Sequence, residues 1–158
     1  MPKAKRVYLD ESGISRFVQR ENGRALRGVK VMDTKRGRKF KRTNVIAGMC
    51  GGKHMAVTCY DHTTTAEFFE RWFEDDLLPM IPKGFVIIMD NASFHRKSAL
   101  FKLASNAGVR LLFLPPYSPD FNPIEHTWAN LKRWLQDKIH LFAFAETAIF
   151  DYFCYSNY

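Results

Sequence analysis

Residues 86–96 read Val-Ile-Ile-Met-Asp-Asn-Ala-Ser-Phe-His-Arg, and residues 114–134 read LPPYSPDFNPIEHTWANLKRW. The first stretch opens with a short apolar run that stops on Asp90-Asn91. Its length and β-branched content predict a strand buried on both faces. The second carries prolines at 115, 116, 119 and 123, which no helix or central strand crosses. A helix is predicted to start there. Asn122 suits the N-cap, Pro123 the first helical position, and Ile124, Trp128, Leu131 and Leu135 share one face. Glu125 falls in the first turn. One carboxylate thus ends a buried strand and another follows a proline elbow, with 34 residues between them.

Between these stretches, residues 96–107 predict a helix with Ala99, Leu100, Leu103, Ala104 and Ala107 inward and Gly108 just past its end. Residues 109–114 predict a further strand, and the strand–helix–strand order implies parallel pairing with 86–89. Upstream, residues 6–10 predict a strand ending on Asp10, with Glu11-Ser12-Gly13 turning the chain and a second extended piece over 14–20. Residues 21–42 are polar and read as a loop or ragged hairpin. Residues 43–50 and 53–60 predict two strands joined through Gly51-Gly52, a strong hairpin signal. A helix follows over about 65–78, with Phe69, Trp72, Phe73, Leu77 and Met80 as its core stripe. Downstream, residues 142–153 predict a last helix packed on the sheet. The sum is a mixed α/β sheet of five strands flanked by helices, a single domain over 1–158.

Fourteen phenylalanines and three tryptophans supply enough apolar area for a core, so a folded globule is expected rather than a disordered tail. No apolar run approaches the length of a membrane span and no signal-peptide pattern opens the chain, so an intracellular, soluble protein is expected. Cys50, Cys59 and Cys154 have no zinc spacing, and their odd number argues against a disulfide framework. They read as buried small apolar residues. The net charge of +8 is uneven: residues 1–42 hold 14 of the 24 Lys and Arg against four acids, while the remainder is nearly neutral. Such a segment suits a polyanion such as nucleic acid, and its centre, Lys35, Arg36, Arg38, Lys39, Lys41 and Arg42, is the candidate DNA contact. The alternative is a solvated loop without a partner.

Asp10, Asp90 and Glu125 share a logic. If the first and fourth strands are neighbours, their aspartates lie side by side, where open α/β sheets build their sites. Packed anions raise one another's pKa and are costly beside an apolar core unless a cation neutralises them. Oxygen ligands select Mg²⁺ or Mn²⁺, and two such ions clamp the attacking and leaving oxygens of a phosphodiester. Each acid also has a plainer reading. Asp90-Asn91 makes an Asx-turn, Glu125 completes a capping box with Asn122, and Asp10 to Ser12 is a polar turn. The joint pattern favours the site, because capping one helix does not require the other two acids.

LDESG at 9–13, MDNASFH at 89–95 and LPPYSPDFNPIEHTWANLK at 114–132 resemble the catalytic domain of mariner-type insertion-sequence transposases. These belong to the Asp-Asp-Glu transposase and integrase superfamily. The resemblance covers about residues 6–136, and its third motif is the most specific. It implies a ribonuclease H-like fold, with Asp10, Asp90 and Glu125 as catalytic metal ligands for two Mg²⁺, or Mn²⁺ in their place. It also implies cleavage of DNA at terminal repeats by activated water, then attack of the freed 3′-hydroxyl on target DNA, usually by a dimer. No covalent protein–DNA intermediate is implied. Asn91 and His95 match motif positions without a role carried over, and His95 reads as a surface histidine or a phosphate contact. Relatives carry helix-turn-helix modules before this domain, and none precedes it here. The chain therefore reads as part of a split element, a remnant, or a catalytic fragment with recognition supplied by another polypeptide. A stand-alone nuclease and a non-catalytic DNA- or partner-binding remnant are the alternative functions.

Overall fold

Gly51 and Gly52 take φ values of +58° and +84°, left-handed conformations that a two-residue hairpin turn requires. They fold β2 (Thr43–Cys50) back as β3 (Lys53–Tyr60). In the computed structural model, residues 5–14, 42–115 and 121–156 are described. β2 also runs antiparallel along β1 (Arg6–Ile14), from Val7 opposite Cys50 to Ile14 opposite Thr43. β4 (Val86–Met89) pairs parallel with the start of β1 and with β5 (Arg110–Phe113). The five-stranded sheet has the order β3-β2-β1-β4-β5, so the first and fourth strands are neighbours, which is the condition set for their aspartates to lie together.

One strand boundary differs from expectation. Glu11-Ser12-Gly13 does not turn the chain; β1 continues to Ile14. The cause is its partner: β2 offers ladder positions all the way to Thr43, with Gly13 opposite Asn44. Asp10 is therefore inside a strand. It still lies beyond the last rung that β1 shares with β4, Tyr8 opposite Ile88.

α1 (Ala66–Trp72) is capped by Thr65, whose Oγ1 accepts the Phe68 N–H at 3.2 Å. It continues through one wider π turn, Phe73–Leu77, and a 3₁₀ turn, Leu78–Met80, that contains Pro79. Phe69, Trp72, Phe73 and Leu77 are buried as expected, but Met80 is exposed. The change of pitch after Trp72 carries it off the core-facing stripe. α2 spans Lys97–Asn106, α3 Ile124–Lys138 and α4 Ala145–Ser156. Gly108, at φ +73°, follows α2 as a helix-ending glycine should.

The sheet has a core on each face. Val7, Leu9, Ile46, Ile87 and Met89 pack with α1 and α2. On the other side Ile14, Val45 and Ala47 meet Ile124, Trp128, Leu131 and Leu135 of α3 and Ile149 and Phe153 of α4. Because side chains alternate along a strand, Asp10 points to the α3 side and Glu11 to the α1 side. Cys50 and Cys59 are half-buried, whereas Cys154 is exposed rather than buried. Among the described residues no helix is long and apolar enough to cross a membrane.

Candidate metal-binding catalytic site

Asp10 is buried, with 8 % of its surface accessible. Its Oδ2 accepts the Trp128 indole N–H at 2.8 Å, and the Glu11 backbone N–H also donates to its carboxylate. Burial, then the charge of Glu125, push its pKa from an ordinary 3.8 to about 7, with Asp90 adding to the rise and the two donors opposing it. The acids from β1, the end of β4 and the start of α3 therefore share one electrostatic neighbourhood. Glu11 joins it from the other sheet face. Burial first, then Asp10 and Asp90, push its carboxyl from 4.5 to about 8.

Asp90 is the first residue past β4, and its side chain is 50 % exposed. The Ala92 N–H bonds its Oδ1 at 3.3 Å, which is the Asx-turn the dipeptide suggested. That turn and an outward-facing carboxylate coexist here. His95 Nε2 donates to the same Oδ1 at 3.2 Å. The Asp90 carboxyl is held below its ordinary value, first by that hydrogen bond. His95 is neither a surface histidine nor an exposed phosphate contact: its side chain is fully buried.

Glu125 is exposed in the first turn of α3. The capping box does not form. α3 begins at Ile124, one residue later than expected, and no side chain caps it. Asn122 instead sends its Nδ2 to the Leu9 carbonyl at 3.2 Å. It ties the start of α3 to β1 next to Asp10, while Trp128, one helical turn past Glu125, ties the same helix to Asp10 itself. Sequence reasoning finds in Asn122 a cap and in Trp128 only core. Their signal, an Asn and a Trp flanking the acid, is legible only once the partner strand is known.

Of the basic candidates, Lys35, Arg36, Arg38, Lys39 and Lys41 lie outside the described residues, and Arg42 is exposed just before β2. Arg42 borders an open cleft of about 370 Å³ with His62, Thr63, Thr64 and Phe94. Phe94 belongs to the loop that follows Asp90, and none of Asp10, Asp90 and Glu125 lines the cleft.

The site offers oxygen donors alone, as a hard divalent cation requires. A buried carboxyl pushed up by two neighbouring anions is what a cation would relieve. Among the described residues no three acidic, histidine or cysteine side chains already form an ion cage, so the acids are neighbours rather than a preassembled coordination sphere. In donor chemistry and charge the residues fit the ion.

A mixed five-stranded sheet of order β3-β2-β1-β4-β5, with helices on both faces, is the ribonuclease H-like arrangement; here Asp10 lies just beyond the last rung shared by the parallel strands β1 and β4, and Asp90 just past β4. Solved structures agree on this fold. The structures titled Mos1 transposase paired-end complex and Mos1 strand transfer complex match at TM-scores of 0.64 and 0.66, with 19 % and 20 % identity, over 84 % and 82 % of this chain and 42 % and 41 % of theirs. The catalytic core domain of BIV integrase matches at 0.56, with 13 % identity, over 92 % of this chain and 78 % of that one. The family model of the DDE superfamily endonucleases matches residues 5–147, and the chain belongs to that family. The Tc1 transposase of Caenorhabditis elegans is 29 % identical over 147 residues, which are 84 % of this chain and 52 % of that protein. The chain thus spans about half the length of that relative.

Proposed function

We propose that this chain is the catalytic domain of a divalent-metal-dependent DNA transposase, which cleaves phosphodiester bonds at transposon ends and joins the 3′-hydroxyl to target DNA. The observation that supports it most is the surroundings of Asp10, a buried carboxyl under the charges of both Glu125 and Asp90. Membership of an endonuclease family supports the reaction class. The relatives' names, a Tc1 transposase and Mos1 complexes with a transposon end and after strand transfer, support the substrate.

In this reading Asp10, Asp90 and Glu125 would hold Mg²⁺ or Mn²⁺, the metals named with Mos1 neighbours. Two bound ions would polarise the attacking hydroxyl or water and neutralise charge on the phosphodiester. The chain's own residues do the rest. Trp128 fixes the Asp10 carboxylate from the α3 side, Asn122 holds the first turn of α3 against β1, and the loop after β4 leaves Asp90 half-exposed, where it would hold a cation against a backbone phosphate. Lys35, Arg36, Arg38, Lys39, Lys41 and Arg42 bind DNA phosphates without reading sequence. The working unit is a homodimer, and recognition of transposon ends comes from a helix-turn-helix element or a partner polypeptide.

The test is a cleavage and joining assay on end-containing duplexes with Mg²⁺. Wild type is expected to nick and to yield joined products. Asp90→Asn should lower both by about 10²- to 10³-fold, a loss matching removal of a principal transition-state charge stabiliser, with an unchanged unfolding midpoint. Cleavage persisting in Asp90→Asn sinks the proposal; nicking without joining would reduce it to a nuclease.

A further inference from the structure

The loop after β4 holds a buried arrangement that metal coordination does not itself use. The His95 ring is fully enclosed. Phe69 and Phe94 each lie 4.3 Å from it, centroid to centroid, and Phe113 lies 6.4 Å away. Its Nδ1 is buried with no hydrogen-bond partner among the described residues. Among the described residues its ring makes one polar contact, Nε2 to Asp90 Oδ1 at 3.2 Å. A site built only for packing would be better filled by Phe or Leu, since a buried ring nitrogen without a partner is unfavourable. A histidine here gains one thing those residues lack, a donor aimed at Asp90. The backbone prepares the aim: His95 N–H bonds the Ala92 carbonyl at 3.1 Å, and Ala92 N–H bonds Asp90 Oδ1 at 3.3 Å. Both donors converge on Oδ1, and among the described residues Oδ2 takes none.

We propose that His95 is a positioning residue. Clamped in its aromatic cage, it locks the Asp90 carboxylate by Oδ1 in one rotamer and so leaves Oδ2 presented to a divalent cation. The cation's presence rests on the function proposed above; the lock does not. Outer-layer hydrogen bonds of this kind fix the orientation of metal ligands. The lowered pKa of Asp90, whose largest cause is this same hydrogen bond, is in keeping.

The test compares the full chain as wild type, His95→Phe and His95→Gln, the last keeping an amide donor near the Nε2 position. Mn²⁺ binding is followed by calorimetry without DNA, Asp90 by metal-free crystal structures, and the fold by thermal unfolding. His95→Phe is expected to unfold at the wild-type temperature or above, to bind Mn²⁺ about 10- to 100-fold more weakly, and to show Asp90 in more than one rotamer. His95→Gln should recover most of the affinity and the single rotamer. Wild-type affinity and an unmoved Asp90 in His95→Phe would overturn the proposal. If that variant does not fold, labelled wild-type protein decides. The His95 Nε2–H must show through-bond coupling to the Asp90 carboxyl carbon in metal-free solution, and its absence also overturns the lock. Wild type that binds no Mn²⁺ would remove the proposed function, while the rotamer and coupling measurements would still decide the role of His95.

Discussion

At the scale of single residues, this site is a place where charge has been put at a disadvantage. Asp10 and Glu11 are both pushed up, to about 7 and about 8, first by burial. A carboxyl whose folded pKa lies above its unfolded value binds more protons folded than unfolded in the interval between them. Stability then falls as pH rises through that interval. The contribution is whole below the ordinary values of 3.8 and 4.5 and is lost as pH climbs through about 7 and about 8. Asp90, pulled the other way, loses its contribution only when pH falls below its ordinary range. Metal-free protein should therefore lose on the order of a few kcal/mol between pH 5 and pH 8.5, measured by urea unfolding. Asp10→Asn should flatten that slope, and added Mg²⁺ should offset the loss at the alkaline end. A slope identical in wild type and Asp10→Asn would show that Asp10 is not held at a disadvantage. Trp128→Phe tests the opposing force. Losing the indole donor should cost about 1.5–3 kcal/mol, the range for bonds to charged groups. The effect belongs above pH 7, where Asp10 is ionised, so activity there should fall while stability at pH 5 changes much less.

At the scale of elements, the geometry depends on how α3 is attached to β1. The Asn122–Leu9 hydrogen bond at 3.2 Å is buried, and Asn122→Ala would leave the Leu9 carbonyl unpaired. The expected loss is about 1–3 kcal/mol in denaturant unfolding, with a larger fall in metal affinity, because Glu125 rides on the first turn that Asn122 fixes. A variant that loses stability but binds Mn²⁺ as tightly as wild type would show that α3 is placed by its apolar face alone. The same hydrogen bond shows which features can be read without a structure. β4, the inward face of α3 and the Gly51-Gly52 turn are legible because their residues settle them locally: a β-branched run, a helical apolar period, two glycines at positive φ. The end of β1 is not, because a strand runs as long as its partner supports it, and the partner here is β2, some thirty residues on. Asn122 misleads for a related reason. Capping preference is a statement about neighbours in sequence, whereas the carbonyl it satisfies is 113 residues away. Trp128 carries the apolar stripe of its helix and also a single N–H, and only the fold decides where that donor points. His95 reads as a surface residue because a lone histidine between Phe94 and Arg96 most often is one; the rings that bury it are Phe94 beside it and Phe69 on α1, and only the fold brings the second.

At the scale of the whole molecule, the chain divides its labour between charge and geometry. Residues 43–158 are close to neutral, while residues 1–42 carry a net excess of positive charge and also the middle strand of the sheet, β1, with Asp10. Arg42 stands where these meet, immediately before β2, on a cleft that Phe94, of the loop after Asp90, also lines. If the basic segment draws a phosphate backbone, divalent cations held by the acids would reconcile an anionic site with that anionic substrate. Attraction of this kind comes from released counterions, so its measure is the dependence of affinity on salt rather than affinity at one salt concentration. Replacing Lys35, Arg36, Arg38, Lys39, Lys41 and Arg42 together by Gln should weaken binding of unrelated duplexes to a similar degree. It should also flatten the plot of log affinity against log salt by up to about 5, at roughly 0.9 for each phosphate no longer neutralised. Asp90→Asn should leave that slope where it is, since it removes charge from the site and none from the basic segment. Fluorescence anisotropy between about 50 and 200 mM salt separates these outcomes. If the six-residue variant kept the full slope, the phosphates would be held by some other surface, and the basic segment would be only a solvated flank of the catalytic fold.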